Sequence, residues 1–148
     1  MLLLFIAYLH LFPLSGPSEG TLSVELSGAD IDNTEYYKPS LTVMTQKYNK
    51  GCYPVTLEKV KLNRKKRTGS LVFDSGKPVL LAIYYHDYPP TGGTRDLLHK
   101  LVLVPEDGKG YVLKVHVDEG QLIGQIYDSG DPSGQPVKVY GEDYMPCE

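Results

Sequence analysis

Tryptophan is absent from the 148-residue chain, phenylalanine occurs three times and cysteine twice. The sequence has no Cys-x-x-Cys pair, no glycine-rich phosphate loop, no dinucleotide fingerprint and no Asn-x-Ser/Thr acceptor, so nothing in it points to a nucleotide enzyme or a cofactor. Excess charge is also missing. Fifteen basic and 18 acidic residues leave a formal charge of −3, which makes the whole molecule a poor polyanion magnet. No apolar run approaches the ~20 residues of a membrane-spanning helix. What remains is ordinary globular composition, 41% hydrophobic and 22% charged, with 15 Gly and 11 Pro that favour short elements joined by turns.

The N-terminus carries the longest apolar run, Leu2 to Leu14, broken by Pro13 and followed by Ser15, Gly16, Pro17, Ser18 and Gly20. Its length suits the apolar segment of a secretory signal, and Ser18 and Gly20 supply small side chains for cleavage before Thr21. The n-region lacks Lys and Arg, and the alternative is a buried first element of the domain. We expect residues 1–20 to be a leader, 21–148 to be a single domain, and no stable membrane span in the mature chain. In an oxidising compartment Cys52 and Cys147 read as one disulfide, tying the tail to the Asn49–Pro54 loop. The competing uses, a reactive thiol or a metal ligand, lack a neighbouring His or second Cys.

Along the mature chain the apolar period is close to two. Leu22, Val24 and Leu26 alternate with Ser23, Glu25 and Ser27. Further strands are expected at 41–48, 55–63, 70–73, 79–85, 97–104, 111–117, 122–127 and 137–140, with a phase slip near Glu58-Lys59 that implies a bulge. The segment VLLAIYY at 79–85 is apolar on both faces and should be central. Eight or nine short strands without a convincing helix predict an all-β fold, an antiparallel β-sandwich. The strand pattern resembles immunoglobulin-like or transthyretin-like secreted sandwiches, a similarity that implies architecture and transfers no site.

Several patches could carry chemistry. Arg64-Lys65-Lys66-Arg67, preceded by Lys59 and Lys61, could bind a sulfated or phosphorylated polyanion, be cut by a dibasic processing protease, or be a solvated hairpin tip. Residues 59–105 hold nine basic and three acidic side chains and residues 106–148 the reverse, a charge asymmetry that would orient encounters with a partner. Twelve tyrosines are the most distinctive feature, clustered at Tyr36-Tyr37, at Tyr84, Tyr85 and Tyr88, and at Tyr140 with Tyr144. Tyrosine serves recognition surfaces and sandwich cores alike. The irregular stretch from Tyr88 to Asp96 is a natural functional loop.

Two Asp-Ser-Gly units, at Asp74 and Asp128, resemble the catalytic loops of aspartic proteases, which would imply two carboxylates sharing a proton. Turn chemistry explains the same residues, because Asp caps locally and Gly accepts positive φ. His86 followed by Asp87 could orient an imidazole for hydrolysis. Asp128, Asp131, Glu142 and Asp143 could offer oxygen ligands to calcium, though without the alternation of a calcium loop. His86, His99 and His116 have no zinc-ligand spacing, and no metal is expected.

The expectation is therefore a secreted or periplasmic, non-enzymatic recognition module. Its partner would be another protein or an anionic surface glycan, bound through Arg64, Lys65, Lys66, Arg67, Tyr84, Tyr85 and Tyr88. A small extracytoplasmic hydrolase and a structural subunit of a surface assembly are the alternatives.

Overall fold

A computed structural model describes residues 18–32, 38–89 and 91–148. The apolar core of the expected leader and the Tyr36-Tyr37 pair lie outside the described residues.

Among the described residues eight strands form two four-stranded sheets. In chain order they are β1 (Glu19–Ser27), β2 (Ser40–Tyr48), β3 (Pro54–Asn63), β4 (Thr68–Asp74), β5 (Val79–Asp87), β6 (Arg95–Leu103), β7 (Tyr111–Asp118) and β8 (Gln121–Asp128). One sheet runs β4-β1-β7-β8 and the other β3-β2-β5-β6, an arrangement of two packed layers that makes a β-sandwich. Pairing is antiparallel except between β1 and β7, which run parallel, Leu22 opposite Tyr111 and Ser27 opposite His116. Alternation in the sequence marks which residues face inward. It is blind to the direction of a partner strand, so the parallel pair could not be read from it.

The inward set closes on one core. Leu22 and Val24 of β1, Leu41 and Val43 of β2, Leu81, Ile83 and Tyr85 of β5, and Leu113, Val115 and Val117 of β7 are all fully buried. At Gly124 the layers approach so closely that an added Cβ would lie 2.9 Å from Ile83 Cδ1. Gly28, at φ +123°, turns the chain from β1 into the short helix α1 (Ala29–Asp32), which seats Ile31 in the core. A Cβ there would fall 2.0 Å from the Val117 carbonyl oxygen, so only glycine fits.

Strand β1 begins at Glu19, with Glu19 opposite Asp74 and Gly20 opposite Phe73. The bulge expected near Glu58-Lys59 falls one residue earlier: Thr45 pairs with Glu58 and Gln46 with Thr56, leaving Leu57 as the extra residue. Beyond it the β2–β3 hairpin overhangs the sandwich. Residues Pro54 to Lys59 are all exposed, whereas Leu62 at the other end of β3 is buried.

The ninth strand expected at 137–140 is not formed. That segment is the start of a strap that leaves β8 through the bond from Val137 N–H to the Ile126 carbonyl. It bridges the free edge of β6 by the reciprocal Val102–Tyr140 backbone bonds, 2.8 and 3.0 Å, and ends beside β2 with Cys147 against Tyr48. To run from β6 to β2 it must cross β5. Leu80 and Val102 lie there on the outer side of their sheet and are nonetheless fully buried. Glu142 fastens the strap, accepting from Tyr48 OH at 3.0 Å and pairing with Lys100 Nζ at 3.3 Å. The expected disulfide closes it: Cys52 and Cys147 are joined, with Cα atoms 5.0 Å apart.

Candidate binding face

Strand register sorts the candidate residues by side. On the outer face of the β3-β2-β5-β6 sheet, Lys61, Thr42, Tyr84 and Leu98 form one cross-strand row. Asn63, Ser40, His86 and Asp96 form the next row toward the basic turn, and Lys59, Met44, Ala82 and Lys100 the row on the other side. With strands ~4.8 Å apart, a row spans about 14 Å. The basic turn Arg64–Arg67 follows directly from Asn63. Its side-chain oxygen accepts from Lys65 N–H at 2.9 Å and Lys66 N–H at 2.8 Å, so the lysines are held on a fixed Asx turn.

Register puts Lys61 and Tyr84 on one face, with Tyr84 and Leu98 exposed, and the basic run leaves the edge of that face for the other sheet, the Arg67 carbonyl accepting from Leu26 N–H at 2.8 Å. Tyr88 stands just beyond β5, exposed, its ring meeting His86 edge-on at 4.9 Å. Arg67 points aside to an ion pair with Asp32 and a bond to the Arg64 carbonyl. Tyr85 does not join the face. It is fully buried, and its hydroxyl donates to Asp87 Oδ2 at 2.7 Å.

His86 is oriented by Asp96 of the neighbouring strand and not by Asp87. Its Nδ1 lies 2.6 Å from Asp96 Oδ1, the same oxygen that accepts from Tyr84 OH. The Tyr84 and His86 hydrogen bonds hold the Asp96 carboxyl below the usual carboxylate range, and the bond to Asp96 pushes the Tyr84 phenol up. Asp87 faces the core, where Arg95 grips it through both Nε and Nη2. Sequence adjacency suggested the wrong acid; the two-residue period separates it, since His86 and Asp87 must face opposite ways. Ser40 lies across from His86, yet among the described residues no hydroxyl or thiol hydrogen-bonds to that imidazole.

The two Asp-Ser-Gly units are turns. Asp74 ends β4 and Asp128 ends β8, the opposite edges of one four-stranded sheet, so three strand spacings, about 14 Å, separate their backbones and the two cannot share a proton. Ser75 bonds to Ser18 and Asp107, while Asp128 accepts from Gly130 N–H at 2.9 Å and pairs with Lys109. Those bonds lower the Asp128 carboxyl's pKa, Gly130 contributing most. Among the described residues no group of three or more His, Cys, Asp or Glu is placed to hold a metal, and Glu142 is committed to the strap. No described helix is long and apolar enough to cross a membrane.

No protein-family model matches the chain. No curated protein matches it. Among solved structures it is similar to the sugar-binding protein pneumolysin, at 14% identity and TM-score 0.36 over 78% of this chain and 24% of that one. It is also similar to the membrane-binding domain of pneumolysin, at 14% identity and TM-score 0.34 over 75% of this chain and 96% of that domain. The human-specific toxin intermedilysin gives 11% identity and TM-score 0.33, over 81% and 24% of the two chains. The chain spans about a quarter of the length of whole pneumolysin. At TM-scores of this size the likeness carries no argument about fold or function.

Proposed function

We propose that this protein is an extracytoplasmic recognition module that binds a sulfated or carboxylated surface glycan on the outer face of its β3-β2-β5-β6 sheet, at the end bearing the basic turn. The observation that carries this reading is the shared face. Lys59 and Lys61 on β3 share the face with exposed Tyr84 and Leu98, with strand β2 between them, Lys65 and Lys66 follow in the turn held by Asn63 at the end of β3, and Tyr88 follows β5. Cations attract the anionic groups and release their counterions, while tyrosine offers a flat amphipathic surface at small entropic cost. The Cys52–Cys147 disulfide supports an oxidising, extracytoplasmic location.

We place the export leader in residues 1–20. Sequencing the exported chain's first residues separates a cut before Thr21 from one that retains Ser18, whose Oγ lies 2.9 Å from Asp107 Oδ1. Heparin chromatography tests the binding reading. The protein should be retained, and a Lys61→Gln/Lys65→Gln/Lys66→Gln variant should elute at clearly lower salt, with Tyr84→Ala weakening retention further. Retention that ignores these changes would remove the glycan reading.

A further inference from the structure

At the other end of β3, ten residues or about 30 Å from the basic turn, the overhanging β2–β3 hairpin ends in the tip Asn49-Lys50-Gly51-Cys52-Tyr53-Pro54. Three features of this tip belong together. Its apolar side chains face solvent: Tyr53 is 71% exposed, Leu57 56% and Val55 38%. Four of its five backbone N–H groups are bonded within the tip. Asn49 N–H donates to the Tyr53 carbonyl, Cys52 N–H to the Asn49 carbonyl, and Gly51 and Tyr53 N–H both to Asn49 Oδ1 at 3.0 Å, while Pro54 has no N–H. It carries Lys47 and Lys50 with no acid inside residues 47–57, while Lys47 and Leu57 share a pocket with Glu19, Glu58, Asp74 and Glu148. The nearest carboxylate on β3, Glu58, accepts from Val72 N–H at 2.8 Å, and Glu148 of the strap sits beside Tyr48.

Exposed apolar groups alone would fit any partner. The internal hydrogen bonding and the lysines narrow the choice. A lipid interface punishes unsatisfied backbone donors, favours tyrosine at headgroup depth, and attracts lysine where the lipids are anionic. The geometry points to a peripheral membrane contact: the 49–57 tip dips into the headgroup layer of an anionic bilayer, Tyr53, Val55 and Leu57 entering and Lys47 and Lys50 lying over the lipid charges. The disulfide makes the tip stiff. Cys52 sits at φ +60°, in the left-handed region, and is bonded to the strap behind it, so little ordering is needed on binding.

The test is co-sedimentation of the full-length exported protein with phosphatidylcholine vesicles, with and without phosphatidylserine. Binding should require phosphatidylserine and fall with salt. Tyr53→Ser/Leu57→Ser should abolish it, and Lys47→Gln/Lys50→Gln should weaken it by roughly fivefold per lysine. Because the altered side chains are exposed, both variants should keep the far-ultraviolet spectrum and the heparin retention of the parent, so this site and the glycan face fail independently. Absence of vesicle binding, equal binding by Tyr53→Ser/Leu57→Ser, or a dimer in sedimentation that this variant dissociates would overturn the proposal.

Discussion

Replacing Arg95 with Met should be the most damaging single polar change in this protein. Arg95 holds Asp87 through Nε at 3.0 Å and through Nη2, and it reaches Asp30 Oδ2 at 3.0 Å with the same Nη2. Asp87 is fully buried, and Tyr85 OH is its other partner. Asp30 in turn accepts from Glu119 and Gly120 N–H at 3.2 and 3.1 Å, so one guanidinium links β5, β6, α1 and the β7–β8 turn. Removing it leaves a carboxylate in the core with one neutral donor. Breaking a buried pair in this way costs about 3–5 kcal/mol, a third or more of a typical domain's stability. For a chain of this size that is roughly 10–20 °C in Tm. Urea and thermal melts followed by circular dichroism would read it. Two comparisons guard the reasoning. Arg67→Met breaks the pair with Asp32, whose side chains are 36% and 60% exposed, and should cost under about 1 kcal/mol. Arg95→Met/Asp87→Asn removes the stranded charge and should recover part of the loss. If Arg95→Met costs no more than Arg67→Met, or the double variant is worse than the single by the full Asp87→Asn cost, the network is not what holds this end of the sandwich.

Reducing the disulfide, or replacing both cysteines with serine, should lower stability by about 4–5 kcal/mol, since it closes a loop spanning 95 residues. Release of the strap should also uncover Leu80 and Val102, read as new binding of an apolar dye, while an unchanged dye signal would mean the strap stays docked through Tyr140 and Glu142. Burial, then the Asp87 bond, raises the pKa of the Tyr85 phenol above its ordinary value. A raised folded pKa gives stability that is whole below pH ~10 and is lost as pH climbs beyond it, because the unfolded chain gives up that proton first. Urea midpoints should therefore fall from pH 9 to 11.5 more steeply for the parent than for Tyr85→Phe, and parallel curves would refute the assignment. Gly28→Ala should cost at least ~2 kcal/mol, from its positive φ and the clash with Val117 O. A neutral result in denaturant melts would show that α1 can shift.

The layers of the fold were readable because each strand announces its buried side. Leu22, Val24 and Leu26, or Leu113, Val115 and Val117, alternate so cleanly that register follows from burial. The strap was not readable. Val137 to Tyr140 carries the same Val-x-Val-Tyr pattern as a strand, and what keeps it out of the ladder is position: it arrives at the β6 edge already committed to β8 on one side and to Cys52 on the other. VLLAIYY showed the opposite problem. Its second apolar face looked like that of a doubly covered central strand, and β5 is indeed flanked by β2 and β6. Its outer residue Leu80 is covered by the strap, an irregular segment that no periodicity could disclose.

The site shows how far adjacency misleads in an all-β protein. His86-Asp87 and Tyr84-Tyr85 read as pairs along the chain, but each pair is split by the sheet, one member outward and one inward. The side chains that meet His86 come from across the strand: Asp96 by register with β6, Ser40 by register with β2. The same geometry gives the face its selectivity. Asp96 is held by Tyr84 and His86, so the outward lysines of β3 face a ligand without a free carboxylate from that row opposing them. Asp96→Asn would weaken both bonds by removing their charge assistance and would take away one negative charge. If the face binds a polyanion, retention on heparin should rise or hold while the Tyr84 ring is held less firmly. A fall in retention to the level of the lysine variants would instead mean that the orientation of Tyr84 and His86, and not the positive charge, carries the binding.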